Sequence, residues 1–210
     1  MITGVDAREW DRRYLESELI WGAPPNATVA EYTEDLPHGR ALDLACGEGR
    51  HALWLAGKDW DVTAVDWSQV AIDKARTVAA KLRRHVRDRV EWIRTDVTEA
   101  KFHGGFTLVL SAYLHLPGPQ RRRMLDAAIE ALEPSGTFLM LGHDTTNIER
   151  GVGGPQDPSI LFTPDEVAAE IGDRLHIVTA QRVYRQTDDG EAVDALVVAT
   201  KVPPELDGAR

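Results

Sequence analysis

Cysteine is nearly absent from this chain. Cys46 is the only one in 210 residues, which excludes an internal disulfide and points to a reducing, cytoplasmic setting. Long apolar runs are missing too, and no segment reaches the length needed to span a bilayer. The start, MITGVDAREWDRRY, lacks the basic lead and apolar core of a signal peptide. Basic charge is in short supply: Lys and Arg number 24 against 34 Asp and Glu, a formal charge of −10. Such a chain repels a phosphate backbone unless its cations gather on one face. The one basic cluster, KLRRHVRDR at 81–89, falls at the end of a predicted helix, where cations suit the helix dipole and stay solvated. Neither nucleic acid nor membrane is an expected partner; an oligomer is left open.

What is present is an alternation of strands and helices. A helix is predicted over 6–19 with Trp10, Tyr14 and Leu15 on one side, and the prolines of WGAPPN stop it. A second starts at Thr28, where TVAE has the form of a capping box. Strands follow at 41–45, 61–66, 89–95, 106–114 and 136–144, separated by helices at 50–58, from Ser68 to 85, and at 119–132. Nearly all-apolar strands alternating with helices imply a parallel sheet covered on both faces. The end differs. After a helix opened by the capping box of TPDEV, two β-rich runs joined by TDDGE predict an antiparallel hairpin. The expected fold is an α/β, Rossmann-like three-layer sandwich with a seven-stranded mixed sheet. It forms one domain over 1–210, with a helical cap at 1–36, a lid loop at 145–160 and a disordered tail at 203–210.

The turn after the first strand, RALDLACGEGR, satisfies the dinucleotide pattern G-x-G-x-x-G/A, with Asp66 following at the end of the second strand. Nicotinamide dinucleotides and S-adenosylmethionine both carry an adenosine whose ribose hydroxyls suit a carboxylate there. Three features favour S-adenosylmethionine. Asp43 and Glu48 put acid beside the turn, which suits an ammonium and a sulfonium and suits a pyrophosphate badly. Asp96 follows the third strand, where an adenine amino group could find an acceptor. One sheet and its hairpin use the chain up, leaving no room for a separate substrate domain.

These stretches resemble the class I S-adenosylmethionine-dependent methyltransferases. LDLACGEGRHALWLA is similar to the family's first motif, with Ala45 where glycine is commoner; VTAVDWS, IRTDVT and FTLVLSAYLHLP resemble the next three, with Thr107 where aspartate often opens the fourth strand. The pattern of Trp10, Tyr14 and Trp21 is similar to the tellurite-resistance and thiopurine subgroup. The resemblance implies that Gly47 and Gly49 pass under the methionine part, with Asp43 or its water holding the ammonium. It implies that Asp66 takes the ribose hydroxyls, Trp67 packs on the adenine, Asp96 and the Val97 amide meet the adenine edge, and Ser111 borders the methionine site. For Asp43, Trp67 and Ser111, simple packing or capping is an equal alternative.

A methyl acceptor with a hydroxyl needs a base, because its proton must leave as the bond forms; a thiolate or metalloid needs little or none. His115, beyond the fourth strand, and the neighbours His143 and Asp144, beyond the fifth, are the candidate bases. The bland readings are a loop histidine for His115 and a turn cap for Asp144. The pair at 143–144 could also hold a divalent metal, which is not favoured because no ligand spacing is diagnostic. The expectation is O-methylation of a small polar molecule such as a sugar or phenol. The alternatives are S- or metalloid methylation, a nicotinamide-dependent reductase, and a non-catalytic S-adenosylmethionine sensor.

Overall fold

The computed structural model describes residues 7–16 and 24–203. Seven strands form one sheet in the order β3-β2-β1-β4-β5-β7-β6. They are β1 (Arg40–Leu44), β2 (Asp61–Asp66), β3 (Val90–Arg94), β4 (Phe106–Ala112), β5 (Leu132–His143), β6 (His176–Thr187) and β7 (Gly190–Thr200). The first five run parallel, while β7 pairs antiparallel with both β5 and β6. The expected mixed sheet with its closing hairpin is therefore the observed one. The hairpin turn is Asp188-Asp189, flanked by the Thr187–Gly190 pair.

Helices cover both faces because the central strands are apolar on both. One layer packs Leu42, Leu44, Val109, Phe138 and Met140 against α6 (Gly118–Ala131) and α8 (Pro164–Ile171). The other packs Ala41, Ala64, Leu108, Leu110 and Leu139 against α3 (Arg50–Gly57) and α4 (Gln69–Ala79). Each fully buried large apolar side chain contributes about 1.5–3 kcal/mol. The capping box at Thr163 and Glu166 forms as read, and the Ser68 hydroxyl caps α4 by accepting from the Ala71 amide.

Local expectations changed in three places. The second helix, α2 (Ala27–Thr33), is capped by Asn26 and not by Thr28, since the Asn26 side chain reaches the amides of Thr28 and Val29. The helix expected to run to 85 stops at Ala79, where Lys81 and Leu82 donate to the carbonyls three residues back and tighten the chain out of the helix; α5 (Arg84–Arg87) is separate. In α1 (Ala7–Leu15), Trp10 and Tyr14 stack one turn apart, but Leu15 lies off that stripe and is exposed. The basic cluster stays at the solvated surface as expected, pairing Arg84 and Arg87 with Asp88 and Arg89 with Asp59 and Asp61. Trp21, the rest of the first expected helix and the tail from 204 lie outside the described residues. No described helix is long and apolar enough to cross a membrane.

Candidate active site

The glycine turn sits where β1 ends. Gly49 caps α3 at φ 81, and a Cβ there would come within 2.4 Å of the Trp92 ring on β3. Only glycine fits both that conformation and that contact. Ala45 also takes a left-handed conformation, φ 58, without glycine's freedom. Asp66 organises the turn from β2. Its Oδ2 accepts from the Gly47 amide at 2.9 Å and its Oδ1 from the Ser68 amide at 2.8 Å. A carboxylate has about four lone-pair sites, so capacity remains for further donors.

Asp43 is buried beneath α3, and burial, with Asp66 nearby, raises its carboxyl to about 7. Its Oδ2 has no hydrogen-bond partner, and neither has the buried Ser111 Oγ at the end of β4. Two orphaned polar atoms beside the turn fit a ligand that brings its own donors, the ammonium of S-adenosylmethionine among them. The Cys46 thiol is pushed up by burial and then by Asp43 and Asp66, so it stays protonated. Trp67 is half-buried, its carbonyl accepting from Arg94 Nε at 3.1 Å. Asp96 Oδ1 accepts from the Thr98 amide and hydroxyl, each at 2.8 Å, which shapes the turn that buries Val97. Over this half-site α1 docks on α4, with Asp11 accepting from the Ser68 hydroxyl and the Tyr14 carbonyl from Lys74.

The second half-site lies over β4, β5, β7 and β6. His143 does not pair with its neighbour Asp144. Successive strand residues face opposite sides of a sheet, whereas directly opposed residues on antiparallel strands share a face. His143 is registered opposite Asp194 of β7, and its Nδ1 lies 3.1 Å from Asp194 Oδ1, within ion-pair reach though not aligned as a hydrogen bond. Asp194 Oδ2 accepts from the Tyr113 hydroxyl at 2.7 Å and from Arg185 Nε at 3.0 Å. Burial alone would raise the Asp194 carboxyl, but His143, Tyr113 and Arg185 together hold it below the ordinary value. Burial and Asp194 likewise keep the Tyr113 phenol protonated.

Asp144 faces the other way and is fully buried. Its Oδ1 accepts from the Thr146 amide and hydroxyl and shapes the turn, while its Oδ2 lies 2.9 Å from Arg182 Nε of β6. His115 Nε2 accepts from the His143 amide at 3.0 Å; burial, with His143 beside it, lowers its pKa to about 3. It is a neutral acceptor that stacks on the His143 ring. The loop beyond β5 is pinned by Asn147, whose Oδ1 accepts from the Val193 amide and whose Nδ2 donates to the carbonyls of Val152 and Gly153. It brings Gly154 against His143, where a Cβ would come within 2.5 Å of the imidazole. Among the described residues, no three His, Cys, Asp or Glu side chains are grouped as a metal site requires.

Residues 41–136 match the family described as "Methyltransferase domain". Thiocyanate methyltransferase 1 of Arabidopsis thaliana is 26% identical over 177 residues, 80% of this chain and 74% of that protein. The matched stretch, which holds the glycine turn and Asp66, is similar to a methyltransferase domain. Solved structures share its fold at low identity. The protein solved in work on conversion of a disulfide bond into a thioacetal group during echinomycin biosynthesis superposes with a TM-score of 0.75 at 21% identity, covering 97% of this chain and 93% of that one. The glycopeptide N-methyltransferase MtfA complexed with S-adenosylmethionine gives 0.69 at 20% identity, covering 96% of this chain and 99% of that one. The likeness to methyltransferases weighs against the nicotinamide-dependent reductase kept open above.

The sequence reading missed Asp194, Tyr113, Arg185 and Asn26. Asp194 carried a signal all the same: it is the only charge inside the apolar run AVDALVVAT, and a charge in a buried strand needs partners.

Proposed function

We propose that this methyltransferase acts on a hydroxyl of a small polar molecule, such as a sugar or phenol, and that His143 takes the proton. The observation that carries this reading is the cross-strand His143–Asp194 contact at the carboxyl end of the sheet. With Nδ1 turned to Asp194, Nε2 is the nitrogen left to accept a proton. Asp194 orients the ring and balances the imidazolium as it forms; Arg185 and Tyr113 hold Asp194 in place.

S-adenosylmethionine, when bound, supplies a methyl group on positively charged sulfur. In this reading Asp43 and Ser111 meet its methionine end, Asp66 its ribose, and Trp67, Asp96 and the Val97 amide its adenine. Arg50, the first residue of α3 and within electrostatic reach of Asp43 and Tyr113, gives the carboxylate of that methionine a cation. Positioning of acceptor and methyl can lower the barrier by up to roughly 7–11 kcal/mol, so exclusion of water matters as much as the base. The loop at 145–160 serves as the cover on the His143 side and α1 on the adenosine side. Cys46, a buried thiol, fits a cytoplasmic enzyme.

The likeness to a thiocyanate methyltransferase favours a second reading, transfer to sulfur or a metalloid, which needs no base. One experiment separates the two. Release of S-adenosylhomocysteine is measured over a panel of hydroxyl, thiol and metalloid acceptors with wild type, His143→Ala, Asp194→Asn and Asp144→Asn. Loss of a positioned base lowers turnover by roughly 10²–10⁴-fold. The proposal expects that loss on a hydroxyl acceptor for His143→Ala and Asp194→Asn, and near-normal turnover for Asp144→Asn. Full turnover by His143→Ala would select the second reading.

A further inference from the structure

The Tyr113 hydroxyl joins four separate parts of the chain. It donates to Asp194 Oδ2 at 2.7 Å and accepts from Asn26 Nδ2 at 2.8 Å and Arg185 Nε at 3.1 Å. Its backbone sits at φ 60, a region bulky residues rarely adopt, and its amide donates to the Leu141 carbonyl at 2.7 Å. Strain of that kind persists where the surroundings over-determine it, and it gathers at functional sites. Asn26, buried at 6% exposure, is committed on every side. Its Oδ1 caps α2, and its backbone N–H donates to the buried His51 Nε2 at 3.3 Å. One residue thus ties α2 to α3 and to the phenol.

We propose that Asn26 and Tyr113 are positioning residues that couple the seating of α2 to the orientation of His143 through Asp194. This rests on the reading of His143 as the base. A buried carboxylate turns to face its donors. With Tyr113 and Arg185 both on Oδ2, the remaining oxygen of Asp194 is aimed at His143 Nδ1. Removing the phenol leaves Oδ2 to Arg185 alone and frees the carboxylate to rotate. Donation from Asn26 Nδ2 to the phenol oxygen polarises its O–H toward Asp194, so the effect passes along the chain of hydrogen bonds. The seat of α2 on the sheet is in this way tied to the alignment of the base.

If Asn26 were only a helix cap, serine would replace it, because serine caps as well as asparagine. Serine has no amide to donate to Tyr113. The test is the imidazole ¹⁵N and N–H resonances of His143 in protein saturated with S-adenosylhomocysteine, assigned by their disappearance in His143→Gln. Tyr113→Phe and Asn26→Ser are expected to shift the Nδ1 signals in the same direction, Tyr113→Phe further, while S-adenosylhomocysteine affinity stays unchanged. Wild-type signals in both variants would overturn the coupling. Failure of the base reading shows separately, as full turnover by His143→Ala in the acceptor panel, whatever the resonances do.

Discussion

The two half-sites along the carboxyl edge of the sheet are built in opposite ways. Over β1 and β2 the end proposed for the cofactor is largely local: Asp43, Gly47 and Gly49 belong to one strand and its turn, and Asp66 reaches back to the Gly47 amide from the next strand. Over β5, β7 and β6 the end proposed for the acceptor is assembled at long range, from Tyr113 and Asp194, 81 residues apart, and from Asn26, 87 residues before Tyr113. A turn that cradles a ligand with its backbone must be continuous in sequence. A base needs only an orienting group on the same face, and in a sheet that group comes from the neighbouring strand.

The largest effect tests whether the halves are independent. If Asp66 meets the ribose as proposed, Asp66→Ala removes charged acceptors from ligand hydroxyls, each hydrogen bond to a charge being worth about 1.5–3 kcal/mol, and affinity for S-adenosylhomocysteine should fall roughly 100-fold by calorimetry. Asp194→Asn should leave that affinity unchanged. Equal losses in both would merge the two half-sites into one.

The next effect sharpens the electrostatic contrast. Asp194 is held below the ordinary carboxylate value by its three partners, whereas Asp43 is raised to about 7 by burial and Asp66. A raised carboxyl contributes stability that is fully present below its unfolded value and is lost as pH rises through the folded one. A bound cation favours the ionised form. S-adenosylmethionine binding should therefore release a proton below pH 7, and its affinity should rise about tenfold from roughly pH 6 to roughly pH 8. Asp43→Asn should bind more weakly with a flat pH profile and be no less stable than wild type above pH 7; a profile as steep as wild type would assign the proton elsewhere.

The smallest concerns backbone strain on the cofactor side. Ala45 at φ 58 carries a left-handed penalty of about 1–2 kcal/mol that glycine avoids, partly offset by glycine's greater unfolded-state entropy. Ala45→Gly should raise stability by roughly 1 kcal/mol, measured by urea unfolding. No gain would mean that the turn is fixed by its hydrogen bonds and not limited by the alanine.

Legibility followed the same divide. The mixed sheet with its closing hairpin could be anticipated because apolar runs alternating with helices leave few arrangements, and Ser68 and Thr163 marked helix starts by capping chemistry that spans only three residues. Asp144 does not share the face of His143 because adjacency in sequence means opposite faces in a strand. His115 was readable as a loop histidine but not as the acceptor of the His143 amide, since that bond closes over 28 residues.

The sequence alone determined the parallel sheet, its antiparallel end, the glycine turn and the carboxylates around it. All of these follow from periodicity, turn chemistry and short-range hydrogen bonding. Only the tertiary structure decided that His143 faces Asp194, that Asp144 belongs to a turn, and that Asn26 touches Tyr113. Those contacts depend on the register between strands remote in the chain, and register is fixed by the packing of the whole sheet and not by any segment within it.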